Sequence, residues 1–129
     1  MPVPADLKYV KTHEWVRVEG DTATIGITDH AQAELGDIVY LELPEAGRML
    51  AHDEIFGTVE SVKAVSDLYS PVTGEVIESN SGIGDATETV NEDPYGRGWM
   101  IKVRLANPAE LEELLSAADY DKLVEESAH

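Results

Sequence analysis

The sequence predicts a mainly β domain, a sandwich or barrel, that ends in a helical appendage. Short apolar runs rich in β-branched residues alternate with turn-forming residues over most of the chain, which is typical of such folds. Near the C-terminus the apolar residues change to a helical period. The chain has 129 residues, 43% of them hydrophobic, and this length suits one core. We therefore expect a single domain over 1–129, with a core over about 7–106 and an appendage over about 107–126.

A hairpin, a short helix and several strands are expected in the first half of the chain. The hairpin pairs Glu14–Glu19 with Thr22–Ile27 around a Gly-Asp turn, because both arms are rich in β-branched and aromatic residues. The segment 29–32 has the spacing of a capping box and predicts a short helix that stops at Gly36. Strands are expected over 37–43, 48–50 and 54–60, with a turn at 44–47.

The middle of the chain is expected to continue with strands and one long loop. Residues 68–70 read as extended because Pro71 disfavours the helical region for the residue before it. Gly74 permits a turn into a strand over 75–79. The segment 80–98 is dense in Gly, Asn, Asp, Ser and Pro and predicts a long irregular loop, which is usually functional or packed on itself. A strand returns over 99–105.

Two short helices are expected in the C-terminal appendage. In the first, Asn107 is a suitable N-cap, Pro108 suits the first helical position, and Glu110 completes a capping box. The second helix is expected to start near Ser116. The apolar positions at helical spacing are Leu111, Leu114 and Leu115 in the first helix and Tyr120, Leu123 and Val124 in the second.

The charge balance restricts the partners that the protein can bind. Nine basic side chains against 26 acidic ones give a net charge of −17, which argues against nucleic acid or an anionic membrane as a partner. The same charge favours a monomer that meets basic surfaces in salt-sensitive encounters. No apolar run reaches the roughly 18 residues that a membrane span needs. Residues 1–6 lack the basic and apolar parts of a signal peptide, so we expect a cytoplasmic protein of bacterial type, or a protein of the mitochondrial matrix if this is a mature organellar form.

Sequence motifs for catalysis or metal binding are missing. The absence of cysteine excludes disulfides, thiolate catalysis and cysteine-based metal sites. His13, His30, His52 and His129 show no spacing of a metal site. No pair of carboxylates stands in an apolar setting that would raise a pKa. Glycines at 82–84 and 96–98 read as turns rather than as a phosphate cradle. We therefore expect no catalytic residue and no metal.

Lys63 stands out on the charge map. It is the only Lys or Arg between Arg48 and Arg97, an interval that contains ten Asp or Glu residues, and it lies between two strand-like arms. A free lysine has a pKa of about 10 and is protonated and non-nucleophilic. An exposed lysine at a tight turn without basic neighbours suits a different role, that of a tether that another enzyme acylates. Composition alone still favours an ordinary surface lysine.

The residues around Lys63 resemble a known attachment motif. The segments ESVKA (60–64) and SPVTGEV (70–76) are similar to the lipoyl-attachment hairpin. Biotin carriers typically flank the lysine with methionines, whereas Val62 and Ala64 stand here. Further segments are HEWV (13–16), IGITDHAQ (25–32), LGD (35–37), LELP (41–44), VNEDPY (90–95) and GWMI (98–101). Together with the two-helix tail, this set resembles the H-protein family of the glycine cleavage system over about 7–126.

The resemblance implies a carrier rather than an enzyme. Its fold would be the lipoyl-domain-like barrel-sandwich hybrid, with a short internal helix and two short C-terminal helices. Lipoate would be amide-linked to Lys63 by a lipoate-attaching enzyme. The expected recognition residues at the attachment turn are Glu60, Ser61, Val62, Ala64 and Gly74.

The family's cycle implies three partner enzymes. The pyridoxal-phosphate enzyme glycine decarboxylase would load an aminomethyl group, and a tetrahydrofolate-dependent aminomethyltransferase would take it. Dihydrolipoamide dehydrogenase would then reoxidise the dithiol.

The resemblance also implies a surface cleft that shelters the loaded arm. The expected cleft residues are Thr12, Glu14 and Asp67, with His30 as a possible neighbour, because a carboxylate suits a protonated amine. Some relatives carry histidine where Glu34 stands, so that imidazole's role does not transfer to this chain. Glu14 and Asp67 could equally be ordinary surface acids. Two other functions remain open: a lipoate-relay or acidic docking protein, and a hydrolase built on scattered carboxylates, which no motif supports.

Overall fold

The fold described below is that of a computed structural model, which describes residues 4–127. The first three residues, which entered the signal-peptide prediction, and His129, a candidate metal ligand, lie outside the described residues. None of the helices within 4–127 is long and apolar enough to cross a membrane.

Two antiparallel sheets form the body of the protein. The larger sheet has six strands in the order β1 (Lys8–Tyr9), β2 (Glu14–Glu19), β3 (Thr22–Ile27), β9 (Ile101–Leu105), β8 (Gly74–Ser79) and β5 (Met49–Leu50). The smaller sheet has three strands in the order β4 (Ile38–Glu42), β6 (Ile55–Ser61) and β7 (Val65–Tyr69). The mainly β, lipoyl-domain-like fold class predicted from the sequence is confirmed.

Helical segments connect and flank the strands. The α-helices are α1 (Asp29–Leu35), α2 (Glu88–Glu92) and α3 (Ala117–Ser127), and two 3-10 helices span Ser81–Asp85 and Pro108–Glu113. The N-terminal hairpin has the predicted bounds, with Glu14 opposite Ile27 and Glu19 opposite Thr22.

Apolar side chains from both sheets meet in the main core. Alternate residues of the strands point inward, as the period of two predicts, and Ile25, Val59, Val76 and Ile101 are at most 1% exposed. A second cluster lies under α3 and contains Leu7, Tyr9, Trp15 and Tyr120. The helical appendage is therefore attached to the body through a small aromatic core of its own.

The cap of α1 differs from the prediction by one residue. Thr28, not Asp29, is the N-cap, and its Oγ1 accepts the N–H of Ala31 at 3.2 Å. The side chain of Asp29 accepts from Gln32 Nε2 instead. The predicted stop is confirmed, because Gly36 has a φ of 80° and donates its N–H to the carbonyl of Gln32.

The prediction of an irregular loop over 80–98 is wrong. This segment contains the first 3-10 helix, Ser81–Asp85, which contacts β4, and the helix α2. Each contributes one buried apolar side chain, Ile83 and Val90, which packs into the main core. Tertiary packing therefore orders a segment whose polar composition conceals its helices.

Gly74 lies inside β8 rather than in a turn before it, which corrects the prediction. It pairs with Leu50 on one side and Leu105 on the other. A Cβ at this position would lie 2.1 Å from the carbonyl oxygen of Arg104. The position therefore needs glycine because two backbones approach closely there, not because the chain turns.

The predicted capping box at the start of the appendage is also wrong. Asn107 makes no side-chain cap hydrogen bond, and the first helix is a 3-10 helix. Glu110 instead accepts the N–H and the hydroxyl of Thr73, both at 2.7 Å. The second helix is confirmed, with Ser116 Oγ accepting the N–H of Asp119.

The apolar residues of the appendage serve two clusters. Leu111 and Leu114 pack on the main core, whereas Leu115 bridges to Tyr9 and packs on the second cluster with Leu123 and Val124. The three leucines therefore do not form the single helical face that was expected.

Candidate functional site

Lys63 lies on the tight turn that joins β6 to β7. The backbone N–H of Ser61 donates to the carbonyl of Ala64 at 2.8 Å and closes the turn. Ser61 Oγ accepts the N–H groups of Lys63 and Ala64 at 3.3 and 3.1 Å. The N–H of Val62 donates to the carbonyl of Asp37 at 3.0 Å, which fastens the turn to the start of β4. The backbone of the turn is thus held from three directions.

The side chain of Lys63 is exposed and lies beside the end of α1. A Cβ built on Gly36 would lie 3.6 Å from Lys63 Cε, an ordinary van der Waals distance. None of the ion pairs found within residues 4–127 includes Lys63, although acidic residues surround it in sequence. The lysine combines a fixed backbone with an accessible amine.

The predicted recognition residues divide into two groups. Glu60, Ser61, Val62 and Ala64 lie at the turn, and Val62 is 68% exposed while Ser61 is buried. Gly74 lies in the other sheet, in β8, and the structure does not bring it to the turn. Its role there is the close backbone approach described above.

The second part of the site is Glu14, at the start of β2. Its side chain is 1% exposed. The hydroxyl of Thr12 donates to Oε1, and the N–H of Tyr69 donates to Oε2 at 3.3 Å. Burial raises the pKa of the Glu14 carboxyl from 4.5 to about 7, against the two hydrogen bonds, and the nearby Asp53 raises it further. No ion pair of residues 4–127 involves Glu14.

Two histidine rings lie against each other near the N-terminus of α1, and one of them, His13, precedes Glu14 in the chain. His13 has a φ of 73°, in the left-handed region, and its ring centroid lies 4.8 Å from that of His30. Burial, and then the neighbouring His30, lower the pKa of His13. Nδ1 of His13 lies 2.6 Å from the hydroxyl of Tyr120. His30 Nε2 lies 2.9 Å from Oε1 of Glu34, one helical turn further along α1.

The edge strand β7 links the two parts of the site. It runs from the Lys63 turn at Val65 to Tyr69, which contacts Glu14, a distance of about 13 Å at about 3.3 Å per residue. Asp67 lies between these ends, exposed and paired with Thr58. Of the predicted cleft residues, Thr12 and Glu14 are in contact, His30 contacts the ring of His13 rather than either of them, and Asp67 stands apart on β7.

Sequence reasoning missed several residues of this site. Tyr69 and Asp53 act on the Glu14 carboxyl, and Tyr120 contacts His13 although it is 107 positions away. The sequence predicted Tyr120 only as an apolar position of a helix. A positive φ at His13 cannot be recognised from composition or from the spacing of apolar residues. Within residues 4–127, no group of three or more metal-ligating side chains could hold a metal ion.

Comparisons with known proteins point to one family. A family model described as glycine cleavage H-protein matches residues 7–127. The chain is 58% identical to the glycine cleavage system H protein of Carboxydothermus hydrogenoformans over 124 residues, which cover 96% of this chain and 95% of that protein. The corresponding protein of Rubrobacter xylanophilus is 59% identical, with 96% of each chain covered. A crystal structure of a glycine cleavage system H protein from Mycobacterium marinum superposes with a TM-score of 0.85 at 38% identity, over 92% of this chain and 96% of that one.

Proposed function

Because this chain belongs to the glycine cleavage H-protein family, whose members are carrier subunits and not catalysts, we propose that it is a lipoylated carrier of the glycine cleavage system. Lipoate would be amide-linked to Lys63, and the chain would form one lipoyl-carrier domain. It would take the aminomethyl group of glycine from the decarboxylase to the aminomethyltransferase. The resulting dithiol would go to dihydrolipoamide dehydrogenase.

The geometry of Lys63 is the observation that carries this proposal. A protein that is acylated by another enzyme must offer its amine at the surface on a backbone that does not move. Ser61 supplies that rigidity, because its buried hydroxyl accepts two N–H groups of the turn. Lipoate, when attached, supplies the disulfide and dithiol chemistry that this cysteine-free chain lacks.

Glu14 is suited to hold the amine of the aminomethyl group. Its carboxyl is buried and has no cationic partner among residues 4–127, so its pKa is high for a glutamic acid. A protonated amine brought beside it would favour the ionised carboxylate, and the pair would be joined by a charge-assisted hydrogen bond. The hydroxyl of Thr12 orients Oε1. In this way the chain would protect a labile group from water.

Residues between the two parts of the site would guide the arm. Lys63 Cε lies toward Gly36 at the end of α1, and His30 on the same helix lies against His13, the residue before Glu14. Asp67 lies on β7 between Lys63 and Glu14 and would contact the arm from the other side. We infer these guiding roles of His30 and Asp67 from their positions between Lys63 and Glu14.

The acidic surface supports docking on basic partner surfaces. The net charge of −17 would speed encounters with such partners at low salt. We propose the pyridoxal-phosphate decarboxylase, the tetrahydrofolate-dependent aminomethyltransferase, dihydrolipoamide dehydrogenase and a lipoate-attaching enzyme as partners of a monomer in the cytoplasm.

Intact-mass measurement tests the attachment. Incubation with a lipoate-attaching enzyme and its substrates should add one lipoyl group to the wild type and to Lys8→Ala, an exposed control position. Lys63→Ala should add none. Addition of lipoyl to Lys63→Ala, or none to the wild type, would overturn the proposal.

A second measurement tests the carrier role. Lipoylated protein should acquire label from labelled glycine in the presence of the decarboxylase. Transfer of lipoyl to an acceptor domain without such labelling would instead support a lipoate relay.

A further inference from the structure

The helix α3 reaches the candidate cleft through one buried hydroxyl group. The side chain of Tyr120 is fully buried, and its hydroxyl lies 2.6 Å from His13 Nδ1 and 2.7 Å from Thr28 Oγ1. The ring of Tyr9 stacks on Tyr120 with centroids 4.8 Å apart. Two backbone hydrogen bonds between Tyr9 and Leu115 fix where α3 begins. The position of the hydroxyl is therefore set by packing on every side.

The two hydrogen-bond partners of the Tyr120 hydroxyl, His13 and Thr28, each lie next to a part of the chain that carries a predicted cleft residue. His13 precedes Glu14 and has a φ of 73°, which is uncommon for a residue other than glycine. Thr28 is the N-cap of α1, the helix that carries His30. The N–H of Thr28 also donates to the carbonyl of His13 at 3.0 Å. Tyr120, His13 and Thr28 thus form a closed hydrogen-bonded set.

His13 ends the turn that comes directly before Glu14. The N–H of His13 donates to the carbonyl of Val10 at 2.9 Å, which closes a turn over residues 10–13. This turn places the hydroxyl of Thr12 on Glu14. The ring of His13 cannot change its rotamer without breaking the hydrogen bond between its Nδ1 and the hydroxyl of Tyr120. Phenylalanine in place of Tyr120 would keep the aromatic packing but not this bond.

We propose that Tyr120 is a positioning residue for the Glu14 carboxyl, acting through the ring of His13 and the turn at residues 10–13. The C-terminal helix is then a support of the cleft and not only an appendage. This inference deepens the proposed function and rests on it where retention of the aminomethyl group is concerned. The placement of Glu14 itself is testable in the bare protein.

The first test is the titration of the Glu14 carboxyl, followed by carbon-13 NMR in the full-length bare protein. The groups that interact with this carboxyl are Thr12, the N–H of Tyr69, Asp53 and Tyr120 itself. We expect Tyr120→Phe to admit water and lower the midpoint by about one pH unit, toward an ordinary carboxyl. A midpoint equal to that of the wild type would overturn the inference.

Tyr95→Phe is the matched control. The hydroxyl of Tyr95 accepts the N–H of Asp29 at 2.9 Å, so it serves the same end of α1, but no hydrogen bond joins it to residues 12–14. Its Glu14 midpoint should equal that of the wild type. An equal shift in both variants would show general loosening and overturn the specific role.

A second variant covers the case in which Tyr120→Phe does not fold. His13→Gly allows the positive φ but has no side chain that could bond to Tyr120. It should lower the Glu14 midpoint by the same amount, and a wild-type midpoint in this variant would contradict the mechanism.

The last test uses the lipoylated, loaded protein and measures release of the amine. Tyr120→Phe should release it about fivefold faster, the effect of one ordinary hydrogen bond, with unchanged lipoylation. In a Glu14→Gln background the same substitution should add nothing, because the carboxyl through which it acts is gone. A fivefold effect that persists there would overturn the inference. Failure of the wild type to be loaded would instead refute the proposed function, while the NMR titration would still decide the role of Tyr120.

Discussion

The buried carboxyl of Glu14 should make the protein less stable as the pH rises toward neutrality. A carboxyl whose pKa is higher in the folded than in the unfolded chain stabilises the fold fully below the unfolded value. That contribution is lost as the pH rises through the folded value. The two values here are 4.5 and about 7, so the loss falls between them. At about 1.4 kcal/mol per pH unit, it amounts to about 3 kcal/mol.

The substitution Glu14→Gln isolates this effect. Glutamine keeps the shape and can still accept from Thr12, but it does not titrate. The lowered pKa of His13 has the opposite sign, because stability from that group is lost as the pH falls. His13 is present in both proteins, so the difference between their stabilities reports Glu14 alone.

Urea unfolding between pH 4 and 8 measures this difference. The free energy of unfolding of Glu14→Gln, relative to the wild type, should rise by about 3 kcal/mol as the pH rises from about 4.5 to about 7. Glu19→Gln, at an exposed position, controls for the change in net charge. A difference that is independent of pH would refute the burial argument for Glu14.

Three further predictions concern the turn, the sheet and the surface. Ser61→Ala should lower the free energy of unfolding, measured in urea, by about 1–2 kcal/mol and should slow lipoylation, because the N–H groups of Lys63 and Ala64 lose their acceptor. Unchanged lipoylation kinetics would contradict the role given to Ser61. Gly74→Ala should lower the melting temperature strongly, because its Cβ would meet the carbonyl of Arg104 at 2.1 Å, whereas Gly82→Ala, with no heavy atom within 4 Å, should not. Rates with partner enzymes should fall as salt is raised, and stopped-flow rates indifferent to salt would exclude electrostatic steering.

The sequence predicted the strands better than it predicted the site. The hairpin of β2 and β3 was correct to the residue because alternating apolar side chains and a Gly-Asp turn are local signals. The capping boxes at Asp29 and Asn107 failed because side chains there found other partners, such as Thr73 for Glu110. Local spacing permits a cap but does not decide among competing hydrogen bonds.

The candidate site shows the same division between local and distant signals. Lys63 and its turn could be found because isolation in charge and two flanking strands are written along the chain. The burial of Glu14 could not, because it depends on contacts with distant residues such as Tyr69. Before the structure, Glu14 was one of 26 acidic residues, distinguished only by a family resemblance. Its unusual pKa is a property of the tertiary fold.

Opposite environments at the two ends of β7 agree with what a carrier of a labile amine would need. Under the proposed function Lys63 would be acylated and would present its cargo to several enzymes, and its turn is exposed and held by hydrogen bonds. Under the same proposal Glu14 would bind a cation strongly in one state and tolerate its absence in the other. A carboxylate with an ordinary pKa, if buried, would carry an uncompensated charge whenever the cation left. A carboxyl with a pKa of about 7 avoids this, because it can take up a proton when the amine departs and release it when the amine returns.

Protons should therefore compete with the amine for Glu14. Retention of the amine should weaken as the pH falls below about 7 in the wild type but not in Glu14→Gln. Equal pH profiles of amine release in the two proteins would show that this carboxyl does not hold the cargo.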